Sequence, residues 1–400
     1  MSETAALERL AQLVADTPKE RGNVVFVGRA KGLFIDNVKY AFLHAHRHAP
    51  QLHSTFMTLN RPEARELQAN GLPAFCFEDP DGPARLARAS IVVSDDFWWK
   101  TRTPAGAFAR GAFLVQLWHG IPLKAIGFPE IESSVNMNPD KARELAEAYS
   151  GYDAVLSTSP FFTEKAFARA FRASAFWELG YPRNDALLRD PDKLDMINVD
   201  AALYSELKRA KKNGARVAFY MPTFRDVGGN AVSDRALDLR QLSVFAQERN
   251  IILVCKFHPY EDIKAGSNVP SLRFCSSRSD PYPLLRLADL LITDYSSIYF
   301  DFLLTGKPVL FFPYDLEAYV TRSRELIFDY EAFTPGPKVR DTPSLLAAME
   351  ALLSGRDAHA AERAKLAELA FSHRDANAGA RLCEALTALS RELAGKEVKA

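Results

Sequence analysis

His119 closes the apolar run FLVQLW and is followed at once by Gly120 and Pro122. Glycine opens backbone angles closed to other residues and proline cannot extend a strand ladder, so the chain must turn and present the imidazole from a stiff corner. That placement suits a general base for an attacking hydroxyl, because imidazole titrates near neutrality. A histidine bonded to a nearby carbonyl is the plainer alternative. The run IILVC ends in Lys256-Phe257-His258-Pro259, which puts Lys256 and His258 on one strand face. Two such groups can bind a phosphate or neutralise a leaving oxyanion; a solvated strand end is the alternative. VAFYM ends in Pro222-Thr223-Phe224-Arg225, and FWEL in Gly180-Tyr181-Pro182-Arg183. DLLI ends in Thr293-Asp294-Tyr295-Ser296-Ser297 and feeds an apolar helix that Gly306 stops before Pro308 opens another strand. Hydroxyls and unpaired N–H groups at that helix start make a site for a diphosphate, while Ser296 or Ser297 serves equally well as an N-cap. Asp301, in the second turn, is expected to support those hydroxyls.

Short β-branched and aromatic runs alternate with helical-period segments, the pattern of parallel sheets with helices on their faces. One block carries strands at Val24–Val27, Ser54–Leu59, Ala74–Phe77, Ile91–Ser94, Phe113–Leu117, Ala154–Ser157 and Phe176–Leu179. A second carries them at Val217–Met221, Ile251–Cys255, Leu272–Cys275, Leu290–Thr293 and Val309–Phe312. Helices are predicted between them, among others at Asn37–His48, Phe161–Ala170 and Ser297–Leu304. The seam falls near Gly180–Asn198, where Gly, Pro and charge concentrate as in inter-domain linkers. The predicted division is residues 1–182, 183–375 and a returning C-terminal segment, 376–400. In that segment Leu382, Leu386, Leu389 and Leu393 share one helix face, with a frayed tail after them. An N-terminal helix carries Leu7, Leu10 and Val14 likewise. In open α/β sheets ligands bind beyond the carboxyl ends of strands, so the strand-end residues above should face one crevice.

Composition narrows the class. The 400 residues are 48% hydrophobic and 25% charged, as in a folded enzyme of two or three domains. Fifty Lys and Arg balance fifty Asp and Glu, so no global positive field exists to hold nucleic acid or an anionic membrane. Four scattered cysteines read as buried thiols of a reducing compartment. No apolar stretch approaches the roughly 18–20 residues of a membrane span and the N-terminus lacks a signal-peptide pattern, so a cytoplasmic address is expected. No GxxxxGK[ST] loop, no GxGxxG after the first strand and no zinc spacing occurs. Cofactors and metals are therefore not expected, and positive side chains and helix ends would do a metal's work. Asp79-Pro80-Asp81-Gly82 reads as a plain turn.

The strings LWHGIPLKAIGF, GYPRNDALL, YMPTFRD, KFHPYE and DLLITDYSSIYFDFLLTGKPVLFFPYDLEAY together resemble the CDP-glycerol glycerophosphotransferase family, which includes teichoic acid primases and polymerases and related capsule transferases. Weaker similarity reaches Asp36–Tyr40 and Asp375–Arg381. The resemblance implies a GT-B architecture: two Rossmann-like α/β domains with parallel sheets facing across a cleft, the nucleotide held mainly by the second. It implies transfer of glycerol phosphate from CDP-glycerol to an acceptor hydroxyl, with release of CMP and no structural need for a divalent cation. In that picture His119 is the base and His258 its catalytic companion. Arg225, Lys256, Thr293, Tyr295, Ser296, Ser297 and Arg381 bind the donor phosphates. Asp36, Asn37, Lys39, Lys124 and Arg183 lie on the acceptor side. The implied partners are CDP-glycerol and a glycan or poly(glycerol phosphate) acceptor; a lipid-linked acceptor would draw the enzyme to the inner membrane face.

Ile121 stands where many members have a hydroxyl residue and Ala376 where glycine is common, so the acceptor end and Arg381 depart most from the family pattern. Three other readings compete: CDP-ribitol as donor, a GT-B glycosyltransferase that uses a sugar nucleotide and releases a nucleoside diphosphate, and a non-catalytic nucleotide- or polyanion-binding module.

Overall fold

The computed structural model describes residues 14, 17–133, 135–223, 225, 229–256 and 269–397. Near-continuous apolar runs such as VVFV, IVV, AVL and ILV suit strands covered on both faces, which is the condition of a parallel sheet. The first seven strands are β1 (Glu20–Val27), β2 (His53–Thr58), β3 (Ala74–Cys76), β4 (Ala89–Ser94), β5 (Phe113–Gln116), β6 (Ser150–Ser157) and β7 (Arg172–Glu178). They form one sheet in the order β3-β2-β1-β4-β5-β6-β7, every pair parallel. The remaining five are β8 (Arg216–Tyr220), β9 (Ile251–Cys255), β10 (Leu272–Phe274), β11 (Leu290–Thr293) and β12 (Val309–Phe311). They form a second parallel sheet, β10-β9-β8-β11-β12. Each order reverses once, between β1 and β4 and between β8 and β11, and those reversals are where open sheets leave a crevice for a ligand.

One buried apolar cluster contains Val24, Phe26 and Val115 of the first sheet together with Val217, Phe219 and Leu291 of the second, so the halves share a core. Polar ties reinforce it. Lys39 of helix α1 (Asp36–His48), fully buried, donates to Asp280 at 2.7 Å and to the carbonyls of Asp195 and Ile197, also at 2.7 Å. Beyond β5 the backbone pairs with the other half: Ala125 N–H donates to Glu325 O at 2.8 Å and Ile327 N–H to Leu123 O at 3.0 Å. The segment from Gly180 to Leu187 is buried throughout, not exposed as a linker would be, because it threads between the halves. All four cysteines are buried free thiols.

Two helices differ from expectation. Phe161–Ala170 is not one regular α-helix: Pro160–Phe162 and Ala168–Ala170 flank a wider π turn at Thr163–Phe167, a device that inserts a residue without breaking the helix. The C-terminal helix α2 runs Ala378–Glu397, further than the expected fraying point, and packs on α1. Asp185 holds its start, accepting from the Ala378 and Gly379 N–H groups at 3.0 and 2.9 Å. Of the N-terminal helix only Val14 is among the described residues; Leu7 and Leu10 lie outside them. Among the described residues no helix is long and apolar enough to cross a membrane.

Candidate active site

After β5 the chain is pinned residue by residue. Leu117 N–H donates to Ser94 O at 2.7 Å, Trp118 N–H to the Gln116 side chain at 2.8 Å, and Asn37 Nδ2 to Trp118 O at 2.8 Å. Trp118 and Gly120 both take positive φ, 55° and 144°. A Cβ on Gly120 would lie 2.4 Å from Ser297 Oγ, so glycine is what lets the corner touch the other half. His119 Nδ1 sits 2.9 Å from the backbone carbonyl of Asp95. A carbonyl can only accept, so Nδ1 carries the proton and Nε2 is left as the lone-pair nitrogen. Burial, joined by the positive charge of Arg29, pulls the imidazole down from 6.5 to about 4. The ring is therefore a neutral base at physiological pH.

A cavity of about 410 Å³ opens where the two crevices meet. Arg29 follows β1, His119 follows β5, Met221 and Pro222 follow β8, Lys256 follows β9, and Ser296 and Ser297 follow β11; all line it. A second cavity, about 430 Å³, continues on the other side of His119 and shares with the first Arg29, Ala30, His119 and Ser297. Lys256 Nζ reaches the carbonyls of Ser276 and Ser279 at 2.7 and 3.0 Å, and burial lowers its pKa. Ser297 is the N-cap of Ile298–Leu303 but makes no side-chain cap bond. That helix is only six residues long, so the hydroxyls of Ser296 and Ser297 are the site's contribution and the helix dipole is small.

Between the halves lies a buried ion network. Arg183 donates to Asp36 at 2.7 Å and to Asp301 at 2.5 Å, and Arg29 pairs with the same Asp36. Tyr282 donates to Asp301 at 2.8 Å. Burial opposes the Asp36 charge, yet Arg183 and Arg29 overcome it and hold that carboxyl well below the usual carboxylate range. Asp36 and Arg183 both reach the first cavity, and Asn37 braces them by accepting from Arg183 N–H at 3.2 Å.

Other expected site residues fall elsewhere. Arg225 is buried and clamped by Asp315 at 2.7 Å and Asp294 at 2.8 Å, so its charge is already matched. Thr293 is fully buried and donates to Met221 O at 2.7 Å; Tyr295 is fully buried and donates to Asp315 at 3.0 Å. None of these three lines either cavity. Arg381 binds Leu179 O at 2.9 Å and Asp375 at 2.8 Å and likewise stays outside both. Lys39 is the buried tie described above, not a cavity residue. Asp301 serves Arg183 and Tyr282, not the serine hydroxyls. Lys124 lines the second cavity. His258 lies outside the described residues.

Sequence reasoning missed Arg29, Asp95 and Asp96. They follow β1 and β4, at the reversal of the first sheet, so the strand-end rule that singled out His119 applied equally to the VGRAKG and SDD segments.

Comparison with known proteins bears on the family and the fold. Residues 9–388 match the family model described as CDP-Glycerol:Poly(glycerophosphate) glycerophosphotransferase. Over 248 residues the chain is 34% identical to a teichoic acid poly(glycerol phosphate) polymerase of Bacillus subtilis (strain 168), covering 60% of this chain and 32% of that protein. Over 306 residues it is 26% identical to a teichoic acid ribitol-phosphate primase of Bacillus spizizenii, covering 75% of each. The chain thus spans about a third of the polymerase's length and three quarters of the primase's. A solved structure of the wall teichoic acid polymerase TagF superposes with a TM-score of 0.73 at 20% identity, covering 98% of this chain and 95% of that one. The fold is GT-B type, two parallel α/β sheets across a cleft.

Proposed function

The chain belongs to the CDP-glycerol:poly(glycerophosphate) glycerophosphotransferase family, and from that premise we propose that it moves glycerol phosphate from CDP-glycerol to an acceptor hydroxyl of a teichoic-acid-like or capsular polymer or its linker. The observation that carries this reading is His119, its ring fixed through Nδ1 on the Asp95 carbonyl and lining the cavity, with Ser297 against its corner. His119 Nε2 takes the proton of the acceptor hydroxyl as its oxygen bonds to the glycerol-bearing phosphorus. The bond from that phosphorus to the bridging oxygen breaks, and CMP leaves with the electron pair. Lys256, Ser296, Ser297 and Arg29 surround the volume where the diphosphate would sit, the two cations balancing its charge and the hydroxyls donating to its oxygens. Arg183 and Asp36 fix Arg29 and the floor of the cavity.

Incubating the purified protein with CDP-glycerol, CDP-ribitol and a sugar nucleotide, each with candidate acceptors, tests the reading. CMP release from the glycerol donor is expected; a nucleoside diphosphate product would mark a glycosyltransferase instead. His119→Ala should lower kcat by about 10²- to 10⁴-fold while CDP-glycerol affinity stays within a few-fold. Unchanged turnover would remove the base from the scheme. The ribitol donor belongs in the panel because a relative of this chain is a ribitol-phosphate primase. A lipid-linked acceptor would bring the enzyme to the membrane through its substrate.

A further inference from the structure

We propose that Asp95 is a positioning residue for the base: its carboxyl, tied to the first turn of α1, fixes the main-chain carbonyl on which the His119 ring is held; this rests on the reading of His119 as the base. Asp95 directly follows β4, where the order of the first sheet reverses, and it is fully buried. It lines neither cavity, so any part it plays in the reaction passes through a neighbour. Its Oδ2 accepts from Val38 N–H at 2.9 Å, and its carbonyl accepts from His119 Nδ1 at 2.9 Å. One residue thus joins a helix start to the imidazole.

The helix needs that oxygen. Helix starts leave N–H groups without partners, and Ile35, the N-cap of α1, makes no side-chain bond to them. An aspartate from a neighbouring strand end takes the place of a local cap. The same turn grips the base from its other side, because Asn37 Nδ2 donates to Trp118 O at 2.8 Å, in the peptide immediately before His119. That bond fixes the backbone but leaves the ring free to change rotamer. The Asp95 carbonyl removes this freedom as long as the carboxyl keeps it in place.

The carboxyl does so as a neutral acid. Burial above all, with the like charges of Asp36 and Asp96, pushes it well above the usual carboxylate range against the opposing pull of Arg29 and the Val38 N–H. Its Oδ1 has no hydrogen-bond partner among the described residues, and a buried charge left so would be the costlier state. The charged groups facing His119 itself are Arg29, Asp36 and Asp96. An amide at position 95 should therefore replace the acid, and a methyl group should not.

The test is heteronuclear NMR of the ring nitrogens of the eight histidines in the whole protein, with His119→Gln as the blank that assigns His119, beside steady-state kinetics. Wild type should show His119 as the single Nδ1–H tautomer at neutral pH. Asp95→Asn keeps an acceptor for Val38 N–H, so it should retain that tautomer and a kcat within about threefold of wild type. Asp95→Ala should lose the single tautomer and lower kcat by roughly tenfold or more while KM for CDP-glycerol moves less than about twofold. An Asp95→Ala ring that keeps its tautomer overturns the proposal, whatever its rate. So does an Asp95→Asn ring that loses it, and that variant decides alone if the alanine protein does not fold. A His119 titration midpoint lower in Asp95→Asn than in wild type also overturns it, because a carboxyl acting by its charge would hold the imidazolium up. The tautomer is read without turnover, so a protein whose His119 behaves as expected yet releases no CMP from CDP-glycerol fails the reaction assigned above and leaves the tie between Asp95 and His119 standing.

Discussion

Two buried arginines, each held between two aspartates, do different work in this molecule. Arg183 joins Asp36 of the first half to Asp301 of the second and reaches the cavity beside His119. Arg225 joins Asp294 to Asp315 within the second half, its guanidinium 5.1 Å from the Tyr295 ring and 5.3 Å from those of Tyr314 and Tyr319. Both follow strand ends and both are 3% exposed. The difference is where the strand end points: one arginine bridges the seam and borders the ligand space, and the other stiffens the loops behind it. A cation's type, burial and protein partners do not tell whether it meets a substrate; its place relative to the cavity does.

Removing either guanidinium takes the shared cation from two carboxylates, leaving Asp301 with the Tyr282 hydroxyl and Asp315 with that of Tyr295, so Arg183→Ala and Arg225→Ala should each lose about 3–5 kcal/mol in denaturant unfolding. Their effects on the folded protein should diverge. Arg183→Ala should weaken CDP-glycerol binding, and Arg225→Ala should leave it nearly unchanged; the reverse result would restore Arg225 as a phosphate ligand and break the comparison. Gly120→Ala probes the same seam more gently. Its methyl would press on Ser297 and approach Arg183 at a backbone angle alanine disfavours, with an expected cost of about 1–3 kcal/mol. A displacement of His119 by about 1 Å should lower kcat by up to about 10²-fold. A stable variant with full activity would mean that the corner need not touch the second half.

The smallest expected effect is in pH. Folded His119 titrates near 4 against an ordinary 6.5. Activity that needs its neutral form should therefore persist as the medium is acidified through 6.5 and fall with a midpoint near 4, read from kcat/KM on the acid limb. The linked stability runs the same way. Between 6.5 and 4 the unfolded chain takes up a proton that the native site refuses, so this group destabilises the fold increasingly as pH drops through that window. An acid limb centred near 6.5 would place His119 in water and loosen its tie to Asp95.

Much of the fold was legible because parallel strands buried on both faces must be apolar almost throughout, as in VVFV and VLF; the edge strand β7 is only partly buried, and the Phe176–Leu179 reading met only its last three residues. The π turn at Thr163–Phe167 left no such mark, since a widened turn keeps the apolar spacing of a helix. Gly180–Asn198 has the composition of a linker, yet composition cannot show that Tyr181 and Arg183 are threaded between two halves. At the site, His119, Lys256 and Ser297 were legible as polar residues at strand ends beside stiffening Gly or Pro. Thr293, Tyr295 and Arg225 gave the same signal and point inward.

The sequence by itself determined the alternation of strands and helices, the strand-end positions where chemistry could be placed, and the resemblance that named a reaction. Only the tertiary structure decided which of those ends share a cavity, because that depends on the strand orders of two sheets and on the angle at which they meet. It also decided that Asp95, through its backbone oxygen, sets the tautomer of a histidine 24 positions away. A main-chain carbonyl is common to every residue, so no choice of side chain could have signalled that role.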